Sequence, residues 1–324
     1  MPEVGWPLWS PKPDPEPVLM NQPYRAACSI RFLDEETIRP LLRMDELIAA
    51  MERALIDFSA GRVQQPVRSI VPVPQYHGFM GVMPAVYGDV MGAKLVNLFP
   101  ENAARGLHTH QAIIALFSAE TGEPLAMMDG RLITEMRTAA VSAVATKLLS
   151  RPDATRLAIL GSGVQARSHF HALSLVRKFD DVRVWSRTTQ HAQALADEIG
   201  ATATSAEDAV RGSDVVVTVT GSPVPVLRGS WLKAGALVNA VGAVGTKNRE
   251  VDDDAMRGAV IVDSREAAMK ESGDILLANA PVYSELGEVL AGSRPLPKAE
   301  ITVFKSLGLA VEDLAAAKLV LQAP

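Results

Sequence analysis

The stretch that most restricts the fold is RLAILGSGVQARSHFHALSLVRKFDDVRVWSRT, residues 156–188. An apolar run, a Gly-x-Gly-x-x-Ala turn, a helical stretch predicted over Val164 to Lys178 and a second apolar run follow in succession. Gly161 permits the tight turn, Gly163 lets the backbone approach a pyrophosphate, and Ala166 lets helix and strand pack closely. The turn, with Ser162 and Val164 in it, presents the free N–H groups and positive end of a helix to anionic phosphates. Such a triplet alone says little. With a buried strand before it, a helix after it and a second strand at the right distance, it reads as a dinucleotide site. Glycines that only turn the chain would leave the complete βαβ unit unexplained.

The end of the second strand discriminates between cofactors. An acid there would hold the ribose hydroxyls of NAD, whereas an arginine accommodates a 2′-phosphate. Here the chain has Ser186, Arg187 and Thr188, a fixed cationic fork between two hydroxyls, which suits a phosphate. NADPH is therefore the expected cofactor; the plainer reading of Arg187 is a solvated loop charge.

The texture on either side differs. From Arg156 onward, Val/Ile/Leu-rich runs (RLAILG, VRVWS, VVVTVT, LVNAVG, AVIVDS) alternate with predicted helices, the pattern of a parallel sheet covered on both faces. Upstream, DEETIRPLLRMDELIAAMERALIDFSAGR reads as one or two helices ending at Gly61. RSIVPVP, GFMGVMPAVY and GAKLVNLFP read as antiparallel strands, and Thr121-Gly122 as a hairpin. ITEMRTAAVSAVATKLL is a predicted long helix stopped by Pro152, and a last helix is predicted from about Ser306 to Leu321. The first 23 residues contain seven prolines and lack the pattern of a secretory signal. They are expected to be an irregular extension, either disordered or wrapped on a neighbour through Trp6 and Trp9.

Composition excludes other classes. With 32 basic and 37 acidic residues the net charge is −5, which gives no footprint for nucleic acid or an anionic membrane. No apolar run approaches the ~18–20 residues of a membrane helix. A single cysteine, Cys28, excludes an internal disulfide framework and suits a reducing compartment, with cytoplasm as the expectation.

A hydride carrier needs a substrate held against it. Arg68, Lys94 and Arg137 each lie in apolar surroundings without an obvious local acid partner, where a charge is costly unless paired. They could converge on a carboxylate, although each alone could be an edge charge or a snorkelling stem. His110 could donate a proton or contact the cofactor. His108 and His110 have no acid or cysteine at ligand spacing, so no metal is expected.

The segments MMDGRLITEMRTAAVSAVATKLL, ILGSGVQARSH, VWSRT, TVTGS, VNAVGA, AAMKESGDI and FKSLGLAVEDLAAAKLV occur in order from about Asp34 to the C-terminus. They resemble the ornithine cyclodeaminase/mu-crystallin family, nearest its ketimine-reductase members. The resemblance implies an α/β fold, a Rossmann-type parallel-sheet domain over 131–299 inserted into an α+β substrate and dimerisation domain over 31–130 plus 300–324, after an extension over 1–30. It also implies a homodimer. Carried over residue by residue, it makes Arg68, Lys94 and Arg137 the holders of a substrate carboxylate, with Lys94 the best proton donor. Arg137 would also reach the cofactor, as would Thr109 and His110, whose segment resembles the family's SHQA. Gln165, Thr220, Val241 and the adjoining Gly242 fall at further cofactor positions.

One departure bears on the chemistry. Family cyclodeaminases carry an aspartate shortly after the NAxG-like strand end, and this chain has Val244 there. A valine can neither take a proton nor hold an ammonium group. The expectation is NADPH-dependent reduction of imino acids, foremost cyclic ketimines such as pyrroline-2-carboxylate or piperideine-2-carboxylate. The rivals are an acyclic imino acid reductase or amino acid dehydrogenase, a cyclodeaminase with a substitute acid, and a non-enzymatic NADP-dependent binding protein, since fold does not settle function.

Overall fold

A computed structural model describes residues 30–323. The expectations placed on the proline-rich segment, Trp6, Trp9 and Cys28 lie outside the described residues. Two sheets organise the chain. The first contains β1 (Arg31–Leu33), β2 (Val63–Gln64), β3 (Ser69–Val73), β4 (Gly78–Tyr87), β5 (Val90–Leu98), β6 (His110–Ser118) and β7 (Pro124–Asp129). Their order is β1-β7-β6-β5-β4-β2, with β3 also on β4. The strands from β2 to β7 pair antiparallel, and the hairpin at Thr121-Gly122 joins β6 to β7. Along β6, Ala112, Ile114 and Leu116 are buried while Gln111 and Ile113 are exposed, the period of two that a sheet with one covered face requires. The covered face packs on helices Gly130–Leu149 and Ala310–Gln322, which also pack on helix Met44–Ser59.

The second sheet contains β8 (Arg156–Leu160), β9 (Asp181–Trp185), β10 (Thr202–Ala203), β11 (Val215–Thr218), β12 (Ala236–Ala240), β13 (Ala259–Val262), β14 (Val282–Glu285) and β15 (Ile301–Lys305). All pair parallel, in the order β10-β9-β8-β11-β12-β15-β13-β14. Leu157 to Leu160 and Val215 to Val217 are buried at every position, as expected of strands covered on both faces. The chain leaves β8 outward through β9 and β10, then returns to β11 on the other side of β8. The crevice outside the carboxyl ends of β8 and β11 is thus the switch point where such sheets bind ligands. Helix Gly130–Leu149 touches β6 of one sheet and β12 and β15 of the other, and Asn239 Nδ2 on β12 donates to its Thr146 Oγ1 at 3.0 Å.

Several boundaries differ from the sequence reading. The helix after the glycine turn ends at Ser174 rather than Lys178; Arg177 instead donates to the carbonyls of Val176 and Lys147. The last helix starts at Ala310 rather than Ser306. Residues 301–305, expected to begin the return to the first domain, form a strand between β12 and β13. ITVFK is a short β-branched run with Val303 and Phe304 fully buried, which periodicity alone cannot separate from a helix start. The parallel sheet therefore runs past residue 299, to Lys305. Strand β14 was not expected. Among the described residues no helix is long and apolar enough to cross a membrane.

Phe304→Ala, in the interior of the parallel sheet, is expected to cost about 3–5 kcal/mol, read as a lowered urea midpoint. A loss under about 1 kcal/mol, the scale of a surface change, would contradict the placement of β15.

Candidate active site

The chain leaves β8 at Gly161 with φ +128°, where an added Cβ would stand 2.7 Å from the Val219 carbonyl oxygen. Only glycine tolerates that backbone and that approach. Gly163 caps helix Val164–Ser174, and a Cβ built there meets nothing within 4 Å, so the space above the helix N-terminus is open. Gln165 Oε1 is buried without a hydrogen-bond partner, although the side chain lines the central cavity. An open turn and an orphaned buried amide fit a dinucleotide. Ser162 Oγ donates to Ser186 Oγ at 2.9 Å, tying the turn to the end of β9. Beside it Arg187 is exposed and makes no ion pair or hydrogen bond among the described residues. Thr188 stands at the N-cap of helix Thr189–Ile199 without a side-chain capping bond, which leaves its hydroxyl uncommitted.

A buried carboxylate shapes the opposite wall. Glu250 accepts from Thr220 N and Oγ1, Thr218 Oγ1, Gly242 N and Ala243 N, at 2.5, 2.6, 2.9, 2.6 and 3.1 Å. It thereby fixes the chain beyond β11 and β12, where Thr220, Val241 and Gly242 were expected to meet the cofactor. Burial pushes the Glu250 carboxyl up, against the pull of Lys305. Lys305 donates to the Ala243 carbonyl at 2.6 Å and pairs with Asp274 at 2.9 Å, and Asp274 accepts from the backbone of Glu250 and Val251. Sequence reasoning missed this network, yet the signal used for Lys94, a charge inside an apolar run, applies equally to Lys305.

Both walls open onto one cavity of about 620 Å³, with Val164, Gln165, Thr220, Val241 and Gly242 on the parallel-sheet side. Thr109, His110, Arg68, Lys94 and Arg137 line its other side, and Val244 faces it too. The remaining expected cofactor residues, Gly161, Ser162, Gly163, Ser186, Arg187 and Thr188, follow the turn and the end of β9 beyond the cavity lining.

The three cations do converge, but they are not without partners. Lys94 Nζ pairs with Asp313 Oδ2 at 2.8 Å and donates to Thr134 Oγ1 at 3.3 Å. Arg137 Nε meets Asp313 Oδ1 at 3.0 Å, and its Nη1 meets Glu312 Oε2 at 2.7 Å. Arg68 Nε pairs with Glu271 at 3.0 Å while its Nη2 donates to the carbonyls of Leu307 and Gly308, both at 2.8 Å. Arg68 Nη1 and Arg137 Nη2 have no hydrogen-bond partner among the described residues, so each fork keeps a donor for an incoming carboxylate. Arg137 lies about two turns inside its helix rather than at its start, since the helix begins at Gly130.

These surroundings set the charges. Burial drives the Lys94 ammonium down to about 8, against Asp313 and with Arg137 adding to the fall. Burial would raise Asp313, but Lys94 and Arg137 outweigh it and hold the carboxyl below its ordinary value. Burial, then Lys94 and Arg137, push His110 down to about 4. The same surroundings favour the neutral imidazole of His110. The acids Glu312 and Asp313 escaped notice because acids in the first turn of a helix are ordinary, favoured there by the helix dipole.

Glu250→Ala takes this acceptor from five backbone and hydroxyl donor groups and leaves Lys305 with one acid fewer nearby. It is expected to cost about 3–5 kcal/mol, seen as a large fall in Tm, whereas an unchanged Tm would show that the donors find water instead.

Comparison with known proteins agrees with this geometry. The family model for the ornithine cyclodeaminase/mu-crystallin family matches residues 30–323. The chain is 48% identical over 299 residues to ketimine reductase mu-crystallin of Mus musculus, covering 89% of this chain and 96% of that one. Among solved structures it is similar to the Δ1-pyrroline-2-carboxylate reductase of Thermococcus litoralis in complex with NADH and L-proline. That match has a TM-score of 0.86 and 35% identity over 90% of this chain and 97% of that one. It is also similar to an archaeal alanine dehydrogenase dimer with bound NAD, with a TM-score of 0.85 and 32% identity over 90% and 95%. Motifs, cavity and whole-chain similarity lead to one assignment: the chain belongs to the ornithine cyclodeaminase/mu-crystallin family.

Proposed function

We propose that this protein reduces the C=N bond of imino acids, foremost cyclic ketimines, to amino acids, with NADPH as the reductant. The observation that carries the reading is the cation cluster in a cavity also lined by Val164 and Gln165, which follow the glycine turn, and by an apolar Val244. A cyclodeaminase needs a carboxylate near the reacting nitrogen, and valine supplies none. The similar proteins described as a ketimine reductase and a pyrroline-2-carboxylate reductase support the same substrate class.

Reduced nicotinamide, when bound along the turn, supplies the hydride. The chain's own residues do the rest. The open donors of Arg68 and Arg137 grip the substrate carboxylate, and Lys94 adds a third charge. This fixes the imine carbon in the cavity, and orientation of that kind is worth up to roughly 7–11 kcal/mol of barrier. Glu250 keeps the Thr220 and Gly242 segments in place at the facing wall. An iminium is already electrophilic; a neutral imine takes its proton from Lys94 Nζ, whose lowered pKa of about 8 suits proton transfer near neutrality.

The preference for NADPH rests on Arg187, since the two structural neighbours carry NADH and NAD. A homodimer is supported by the outer face of the first sheet, where Val71, Val86, Leu95 and Ile113 are exposed. An antiparallel sheet apolar on both faces calls for a partner, and one neighbour is described as a dimer. The single cysteine suits the cytoplasm.

In an assay following NADPH absorbance, oxidation is expected with pyrroline-2-carboxylate and piperideine-2-carboxylate. Turnover of ornithine to proline without net cofactor change would sink the reading, and silence with every imine alongside tight NADPH binding would favour a binding protein. Arg187→Asp is expected to lower kcat/KM for NADPH at least tenfold while sparing NADH, about 1.4 kcal/mol or more of lost phosphate contact; an unchanged preference would refute its role.

A further inference from the structure

The cation cluster is already neutralised before any ligand enters. Arg68 faces Glu271, Lys94 faces Asp313, and Arg137 faces both Glu312 and Asp313. A fourth carboxylate, Asp263, stands behind them, its Oδ2 accepting from the backbone N–H groups of Leu307 and Gly308 at 2.5 and 2.7 Å. With every group ionised, three cations meet four carboxylates. A ligand carboxylate would add a further negative charge to a buried cluster, which is unfavourable unless a positive charge comes with it.

That charge can arrive as a proton, and the four acids are not equal candidates for it. Asp313 Oδ1 accepts from both Lys94 and Arg137, and its Oδ2, though without a hydrogen bond, lies 2.8 Å from the Lys94 ammonium, which opposes a proton there. Asp263 is held by backbone N–H groups, and Glu271 is partly open to solvent beside Arg68. Glu312 is fully buried, and its Oε2 takes Arg137 while its Oε1 has no partner. A proton placed on Oε1 breaks no hydrogen bond. We propose that Glu312 takes up a proton when a carboxylate anion enters the Arg68, Lys94 and Arg137 cluster. The site thereby favours zwitterionic imino acids, whose iminium brings its own positive charge, over plain carboxylate anions. The proposal rests on the imino acid reading for its ligand class. Burial already holds the Glu312 carboxyl at about 7, against Arg137 and with Asp263 and Asp313 pushing the same way as burial. A second carboxylate sharing Arg137 drives it higher. The balance is simple: an anion binds together with one proton from solvent, and a zwitterion binds with none.

The test uses the cofactor-saturated protein and two ligands, pyrrole-2-carboxylate, whose ring nitrogen takes no proton, and L-proline, a zwitterion. Titration calorimetry at pH 7.5 in buffers of different ionisation enthalpy is expected to show uptake approaching about one proton with the first and about none with the second. In Glu312→Gln the uptake disappears, and the variant binds pyrrole-2-carboxylate about tenfold tighter than the unaltered protein at pH 8. A purely structural role for Glu312 would predict no such gain. An infrared difference spectrum of the unaltered protein is expected to show a protonated-carboxyl band on binding the anion, which decides the matter should the variant fail to fold. Binding of the anion with no uptake, or no such band, overturns the proposal while leaving the carboxylate site standing. Uptake that persists in Glu312→Gln assigns the proton to another group of the cluster, such as Lys94 or Glu271, and also overturns it. Failure of the anion alone to bind overturns the proposal, and failure of both ligands would overturn the imino acid reading with it.

Discussion

Asp313 is the joint on which the rest depends. Its carboxylate holds Lys94 from the first sheet and Arg137 from the long helix, while it sits itself on the C-terminal helix. Three elements far apart in sequence are thus pinned by one buried side chain. Buried ion pairs seldom add net stability over well-packed apolar residues, while removing one partner is strongly destabilising. The cluster is therefore poorly explained as a stabilising device, in keeping with the proposed carboxylate site. Its acids keep the cations hydrogen-bonded and oriented, and its open guanidinium donors remain for a ligand.

What was legible in the sequence follows from the range of each signal. The glycine turn was readable because strand, turn and helix are neighbours in the chain: Gly161 makes the tight turn and Gly163 stands at the helix N-cap with open space above it. The convergence of Arg68, Lys94 and Arg137 was readable from their awkward settings and from the family resemblance together. Their partners were not, because Arg137 and Asp313 are separated by 176 residues and nothing local distinguishes Asp313 from an ordinary first-turn acid. Glu250 was hidden for a similar reason. It lies outside any strand or helix, and only the tertiary fold brings the ends of β11 and β12 onto its carboxylate. Strand β15 was missed, and its residues assigned to the first domain, because a short apolar run carries too little periodicity to declare itself.

The two faces of the first sheet divide the labour. On one, Ile114, Leu116 and Met83 pack inward against the helices, and Lys94 projects to the ion cluster. On the other, Leu95 and Ile113 lie opposite each other across β5 and β6 and remain exposed. The strand period of two sends neighbours in sequence, Lys94 and Leu95, to opposite faces, so the ion cluster and the apolar outer face share a single strand.

The place of β15 bears on how the protein is made. The chain supplies residues 301–305 of 324 near its end, yet the strand they form fills an interior slot between β12 and β13. During synthesis from the N-terminus, those two strands have no partner on their facing edges, and unpaired edges invite wrong pairings. Lys305 and Asp313 arrive in the same final stretch. Joining of β12 to β13 through β15, and the ion pairs of Lys305 and Asp313, therefore wait until residues 301–313 have been made.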